Sequence, residues 1–192
     1  MPARNDAALA FLKNRRSRPA KLFTFPVPTR PELEEILTAA TRVPDHGKLE
    51  PWRLIVVQGP AFARLANLAE DRAVELGGDA EKIAKGRGQY DLGKLAVVVI
   101  ASPKPAPKVP EIEQLMSAAA LCFGLVNTAE AAGWGACWLT GWPAHDPVFS
   151  ARAFGCRAGE TVAGIVHIST PPEDAPDRPR PDLGQIVSWV DR

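Results

Sequence analysis

The run Leu95-Ala-Val-Val-Val-Ile-Ala101 leaves this chain the fewest choices. Seven consecutive apolar residues, four of them β-branched, form a segment of strand length with no polar face to turn toward water. Such a strand is buried on both faces, so the sheet that contains it needs helices wrapped around it.

The rest of the chain supplies them. Residues 52–58 are rich in β-branched side chains and closed by Gly59-Pro60, which reads as a strand; 134–140 and 162–169 read likewise. A first helix spans 6–14, with Ala8, Leu9, Phe11 and Leu12 forming its apolar face, and it ends near an arginine cluster because Pro19 disfavours helix at Arg18. Residues 23–28 then run extended. Thr29-Arg30-Pro31-Glu32 is a capping box, followed by Leu33, Ile36, Leu37 and Ala40 at helical spacing until Pro44. Helices are also expected at 61–76, stopped by Gly77-Gly78; at 111–132, stopped by Gly133; and at 146–154, capped by Asp146-Pro147. A proline-rich charged tail, 171–181, precedes an amphipathic stretch at 183–190. The order ααβααβαβαβα implies an α+β fold with a central mixed or antiparallel sheet surrounded by helices. With 192 residues the chain suits one domain, 1–192, whose tail is 171–192; two domains would be crowded.

Several function classes drop out. A net charge of +1 gives no electrostatic case for nucleic acid, a membrane surface or another polyanion. No apolar run reaches the roughly 18 residues that span a bilayer, and the N-terminus, with Asp6, lacks the apolar core of a signal peptide. Cys122, Cys137 and Cys156 are far apart, without CxxC spacing or a neighbouring histidine, so no metal site is expected and a reducing cytoplasm fits. Neither GxGxxG nor GxxxxGK[ST] is present. If a nucleotide binds, side chains rather than a glycine loop must hold its phosphate. Arg15-Arg16-Ser17-Arg18 has the chemistry for that, since guanidinium grips phosphate bidentately and a hydroxyl adds a donor. By itself the cluster reads more readily as a solvated basic turn.

Five segments taken in order carry a family resemblance: NRRSRP after the first helix, AATRVPDHGKLEPWRLIVVQG, KVPEIEQLMSAAA, GWGACWLTG and FGCRAGETVAGIVHISTP. Together they resemble the nitroreductase family, most of all its short YdjA-type subgroup, from about Leu9 to Pro171. No single segment is specific; their order and spacing are. The resemblance implies a nitroreductase-like fold, a homodimer with two FMN molecules at the subunit interface, NADH or NADPH as hydride donor, and a small planar acceptor such as a nitroaromatic or quinone. Catalysis would rest with the flavin, with no catalytic side chain. Carried over by position, Arg15, Arg16 and Ser17 match residues that hold the FMN phosphate and ribityl chain. Arg42 and His46 match flavin contacts from the partner subunit, and Trp138, Leu139 and Thr140 match a backbone-rich segment beside the flavin. Thr128, Ala129, Glu130, Ala131, Ala132 and Gly133 align with a segment assigned to NAD(P)H.

Two departures bear on the flavin's electrostatics. Many members place Lys or Arg two residues after the serine, near flavin N1 and O2, where this chain has Pro19; many have glutamine before PW, where it has Glu50. A cation at that edge stabilises reduced flavin, and the sequence offers Arg16 first and Lys48 second. Beside these, His167 reads as a core or edge histidine, His145 and Lys108 as solvated loop residues, and Cys137 as a small buried hydrophobe. Trp138 and Trp142 are open between bordering a flat substrate and packing. Two rival functions stand against the enzyme: a flavin-binding protein that stores or senses FMN without turnover, and an unrelated phosphate-binding α/β domain.

Overall fold

The structure, a computed structural model, describes residues 3–172 and 176–191, so the extreme ends of the 1–192 span and residues 173–175 of the tail lie outside the described residues. Its strands are β1 (Trp52–Gln58), β2 (Leu95–Ala101), β3 (Gly135–Leu139) and β4 (Thr161–Ser169). Helices are α1 (Asp6–Asn14), α2 (Arg30–Ala40), α3 (Ala61–Glu75), α4 (Ala80–Asp91), α5 (Glu111–Ala131), α6 (Trp142–His145), α7 (Pro147–Phe154) and α8 (Leu183–Ile186).

The sheet order is β1-β2-β4-β3 and every ladder is antiparallel, which removes the mixed alternative. All seven residues of β2 are buried. Alternation sorts them: Val97 and Val99 meet Leu33 and Ile36 of α2 and Leu121 and Leu125 of α5, whereas Ala96, Val98 and Ile100 meet Phe62, Leu65, Tyr90 and Phe149 on the other face. An unbroken apolar run thus occurs in an antiparallel strand because both faces are covered by helices. Arg53 of β1 pairs with Glu160 at 2.8 Å, and that hydrogen bond holds the Glu160 carboxyl down at about 2.

Two glycines record close approach. A Cβ at Gly164 of β4 would lie 2.1 Å from Trp138 Nε1, so the missing side chain is the space the indole occupies. At Gly124 of α5 the obstructing atom would be the Ala40 carbonyl oxygen, at 2.8 Å. The small residues of α5 therefore seat α2 of the same chain. The helix's open face is instead Ile112, Leu115, Met116 and Phe123, all exposed.

Three sequence expectations need correction. The apolar face of α1 buries no residue, and Leu9 and Leu12 are exposed. The stretch 183–190 is helical only over Leu183–Ile186, after which Val187 is extended. Leu183, Ile186, Trp189 and Val190 lie in solvent, Trp189 at 90%, because no part of the chain's own core reaches them and one helical turn is unstable without packing. The third is α6, absent from the sequence reading; it is a single turn that places His145 on the surface.

Candidate functional site

α1 ends where Arg15 turns to extended geometry, at φ −58° and ψ 142°. From there Arg15 Nη2 donates to Ser17 Oγ at 3.0 Å and to Glu130 Oε1 at 3.1 Å, while Glu130 Oε2 accepts the Arg16 backbone N–H at 3.0 Å. The Arg15 and Glu130 side chains are 18% and 6% exposed. One carboxylate near the end of α5 thus fixes both the backbone and the first guanidinium of the arginine loop. The guanidinium also lies 6.0 Å over the Phe123 ring.

What remains unused is informative. Arg15 Nε and Arg16 Nε are buried with no hydrogen-bond partner. Buried polar groups are nearly always satisfied, and leaving one bare costs about 1–3 kcal/mol, more when charged. Arg15 and Arg16 line a cavity of about 440 Å³ shared with Asn14, Glu130 and Trp134. A neighbouring cavity of about 380 Å³ is formed by the same loop, Cys137 and Arg178 of the tail. Arg180 holds the tail there by donating to the Lys13 carbonyl at 2.6 Å and pairing with Asp177 at 3.0 Å. Several guanidinium groups around a hollow, two of them with nitrogens lacking acceptors, have the chemistry to hold an anion.

The second cavity shares Pro19 and Cys137 with a third, about 300 Å³ and mainly apolar, between β3, β4, α4 and the 3-10 turn Ala20–Leu22. Leu139 lines it; Thr140 is exposed beyond the strand. Trp138 points to the opposite face, where Nε1 donates to the Ala163 carbonyl at 3.3 Å. Trp142 packs, donating to the Lys82 carbonyl at 3.1 Å with the Lys82 ammonium 5.4 Å from its ring. His167 is 4% exposed and stacks on Phe62. Burial pushes its imidazole down to about 4 and keeps it neutral, and burial likewise pushes the Cys137 thiol up. Neither is an acid or base at neutral pH.

Arg42 and His46 lie elsewhere. His46 Nδ1 is 2.6 Å from Glu113 Oε2, in a loop where Gly47, Lys48 and Glu50 have φ of 74°, 52° and 48°. The left-handed region costs a residue with a Cβ about 1–3 kcal/mol. Here the Asp45 carboxylate holds the loop by accepting from the backbone N–H groups of Leu49 and Glu50, at 3.1 and 2.8 Å. Glu113 and Glu130 sit near opposite ends of α5, about 25 Å apart along the helix at 1.5 Å per residue, which sets His46 far from the arginines; Val43 at the start of the loop packs near Gly124, closer to the Glu130 end. Within one chain Arg15, Arg16, Ser17 and Leu139 come together, and Arg42 and His46 do not join them.

In the segment 128–133, Thr128 donates to the Gly124 carbonyl at 2.9 Å, Ala129 is fully buried, and Ala131, Ala132 and Gly133 are exposed. Glu130 as the anchor of the arginines, and Arg178 and Lys21 as lining residues, escaped the sequence reading. Glu130 and Arg178 become neighbours of the site only through packing across more than a hundred residues or through the fold of the tail, while Lys21 follows the arginines closely in the turn Ala20–Leu22.

The sequence model of the nitroreductase family matches residues 12–169. A protein of Escherichia coli K12 named "Putative NAD(P)H nitroreductase YdjA" is 35% identical over 164 residues, 85% of this chain and 88% of that protein. A nitroreductase-like family protein from Bacillus cereus superposes with a TM-score of 0.78 at 22% identity, covering 100% of this chain and 99% of its own. An FMN-dependent nitroreductase from Clostridium difficile superposes with a TM-score of 0.68 at 21% identity, covering 96% and 99%.

Proposed function

The chain belongs to the nitroreductase family, and from that premise we propose that it is a homodimeric, FMN-dependent enzyme that passes hydride from NADH or NADPH to a small planar acceptor. The observation that carries this reading is the pair of buried Arg15 and Arg16 Nε donors without partners beside the cavities at the end of α1. They fit a phosphomonoester and have no acceptor among the described residues. Arg15, Arg16 and Ser17 hold the phosphate, and Glu130 orients Arg15 from behind. Of the segment Trp138, Leu139 and Thr140, Leu139 borders the ring with its side chain.

FMN, when bound, supplies the hydride acceptance and delivery. The chain's own part is to bind, orient and tune. His167 and Cys137 contribute no proton, consistent with chemistry that asks for no side-chain acid or base. Contacts with the dinucleotide fall on the exposed Ala131, Ala132 and Gly133, since Glu130 is committed to the arginines. Nitroaromatics and quinones suit a hydride acceptor of this kind because they are flat and electron-poor.

The shared site follows from α5. Its exposed apolar stripe, with Ile112 at 55%, Met116 at 61% and Phe123 at 50%, is the kind of patch that marks an interface. A two-fold axis crossing that stripe pairs the two copies of α5 antiparallel. The end bearing His46 and Glu113 in one chain then meets the end bearing Glu130 and Arg15 in the other. The 25 Å gap within one chain is thereby closed between two, and Arg42 and His46 of the partner subunit reach the flavin.

The test is direct. Purified protein should be yellow, and heat or acid should release a flavin that co-chromatographs with FMN. The loaded protein should oxidise NADH or NADPH when a quinone or nitroaromatic is added. Recovery of FAD, or no flavin after reconstitution, overturns the FMN assignment; bound FMN without turnover would make it a storage protein.

A further inference from the structure

The cavity of about 300 Å³ beyond Pro19 has a composition that the phosphate site does not explain. It adjoins the arginine cavity through Pro19 and Cys137, so a ligand anchored by its phosphate extends naturally into it. Its walls are apolar at Ala20, Leu92 and Leu139, and its polar side chains are Lys21, Lys85, Gln89 and the neutral His167. Gln89 Oε1 is buried with no hydrogen-bond partner. The Gln89 side chain is wedged against the backbone of Gly141, where a Cβ would lie 1.6 Å from Nε2, so the amide is fixed in place. Lys85 pairs with Glu81 at 2.6 Å on the solvent side of α4, an exposed contact of little net worth that a long side chain can leave. Lys21 forms no hydrogen bond or ion pair among the described residues.

A flat ring between apolar walls, a bare amide carbonyl and two ammonium groups describe a specific complement. The ligand's edge must offer an N–H to Gln89 and electron-rich oxygen or nitrogen to the lysines. The pyrimidine edge of an isoalloxazine has this pattern, with N3–H between the O2 and O4 carbonyls and N1 beside O2. N1 gains negative charge when the ring is reduced, so a cation there favours the reduced form.

We propose that this cavity receives the pyrimidine edge of the flavin, with Gln89 accepting from N3–H and Lys21 and Lys85 supplying the positive charge at N1 and O2. The assignment rests on the FMN reading above and goes beyond it by naming residues that tune the potential. It also replaces both expectations drawn from the sequence. Arg16 lines the two arginine cavities and not this one. Lys48 sits in the loop with His46 and is not among the residues that line this cavity. His167 lines the cavity too but is neutral through burial and cannot provide the charge. The cation that Pro19 cannot carry comes from the turn that follows it and from α4.

The experiment is an anaerobic dye-equilibration titration of the FMN-loaded protein, comparing wild type with Lys21→Gln, Lys85→Gln and the double variant. Both lysines are exposed, so the substitutions leave folding intact. The double variant should bind reduced flavin at least tenfold more weakly relative to oxidised flavin, a downward shift of about 30 mV for a two-electron couple. Gln89→Leu should weaken FMN and riboflavin binding by the same factor, because the lost contact is to the ring and not to the phosphate. A double variant that keeps its flavin at the wild-type potential overturns the assignment, and a changed KM for the acceptor at unchanged potential reassigns the cavity to the acceptor. A wild-type protein that takes up no flavin overturns the FMN reading itself, which separates the two failures.

Discussion

Arg15→Ala should reduce FMN affinity by more than one lost hydrogen bond explains, and Glu130 is the reason. A charge-assisted hydrogen bond to phosphate contributes about 1.5–3 kcal/mol. The Arg15 guanidinium also stands between two anions, the Glu130 carboxylate on Nη2 at 3.1 Å and a phosphate approaching the bare Nε. Anions on two edges of one guanidinium lie about 6 Å apart, where unit charges repel by roughly 0.7–2.8 kcal/mol at an effective dielectric of about 80 to 20. Removing Arg15 unmasks that repulsion, because Glu130 is only 6% exposed and cannot turn to water. The combined loss is about 2–6 kcal/mol, at least 40-fold in Kd. Adding Glu130→Ala to Arg15→Ala should therefore restore FMN binding by about 3- to 100-fold. In the wild-type background the same substitution should help less, or weaken binding, because Arg15 and the Arg16 N–H lose their anchor. FMN affinity measured by quenching of flavin fluorescence at fixed ionic strength gives the four corners of the cycle. No recovery in the double variant would show that Glu130 does not face the phosphate. Equal gains in both backgrounds would show that it does not position Arg15.

Stability should fall on acidification through His167: its unfolded imidazole takes a proton near 6.5 and the buried one only near about 4. Above 6.5 both forms are neutral and the residue contributes nothing. Between those values each pH unit of acidification favours unfolding by about 1.4 kcal/mol, so unfolding free energies from urea titrations at pH 7.5 and 5 should differ by about 2 kcal/mol more in wild type than in His167→Leu; equal differences would refute it. Wild type should sediment at twice the 20.6 kDa chain mass and Met116→Glu largely as monomer, unless the α5 stripe is not the interface. Co-expressed Arg15→Ala and His46→Ala chains should form hybrids that recover up to about half of native activity, since one of two shared sites keeps both groups. A hybrid as poor as its parents would place His46 outside the partner's site.

What the sequence determined by itself is local. The capping box at Thr29 and Glu32, the N-cap of α7 at Asp146 and the burial of β2 all follow from residues a few positions apart, whose hydrogen bonds and periodicity do not depend on the rest of the chain. The arginine cluster was visible for the same reason, and the ordered family segments gave it a ligand class. Tertiary structure decided which groups the cluster works with. Glu130 lies 115 residues from Arg15, and nothing between them marks the pairing. Gly124 of α5 lies against the Ala40 carbonyl at the end of α2, a contact that nothing in its local sequence identifies. The faces of α1 and the tail read as amphipathic, yet only the folded chain shows that it has no surface of its own to cover them. Periodicity records that a face is apolar; what covers it is set by shape, which exists only after the chain has closed on itself.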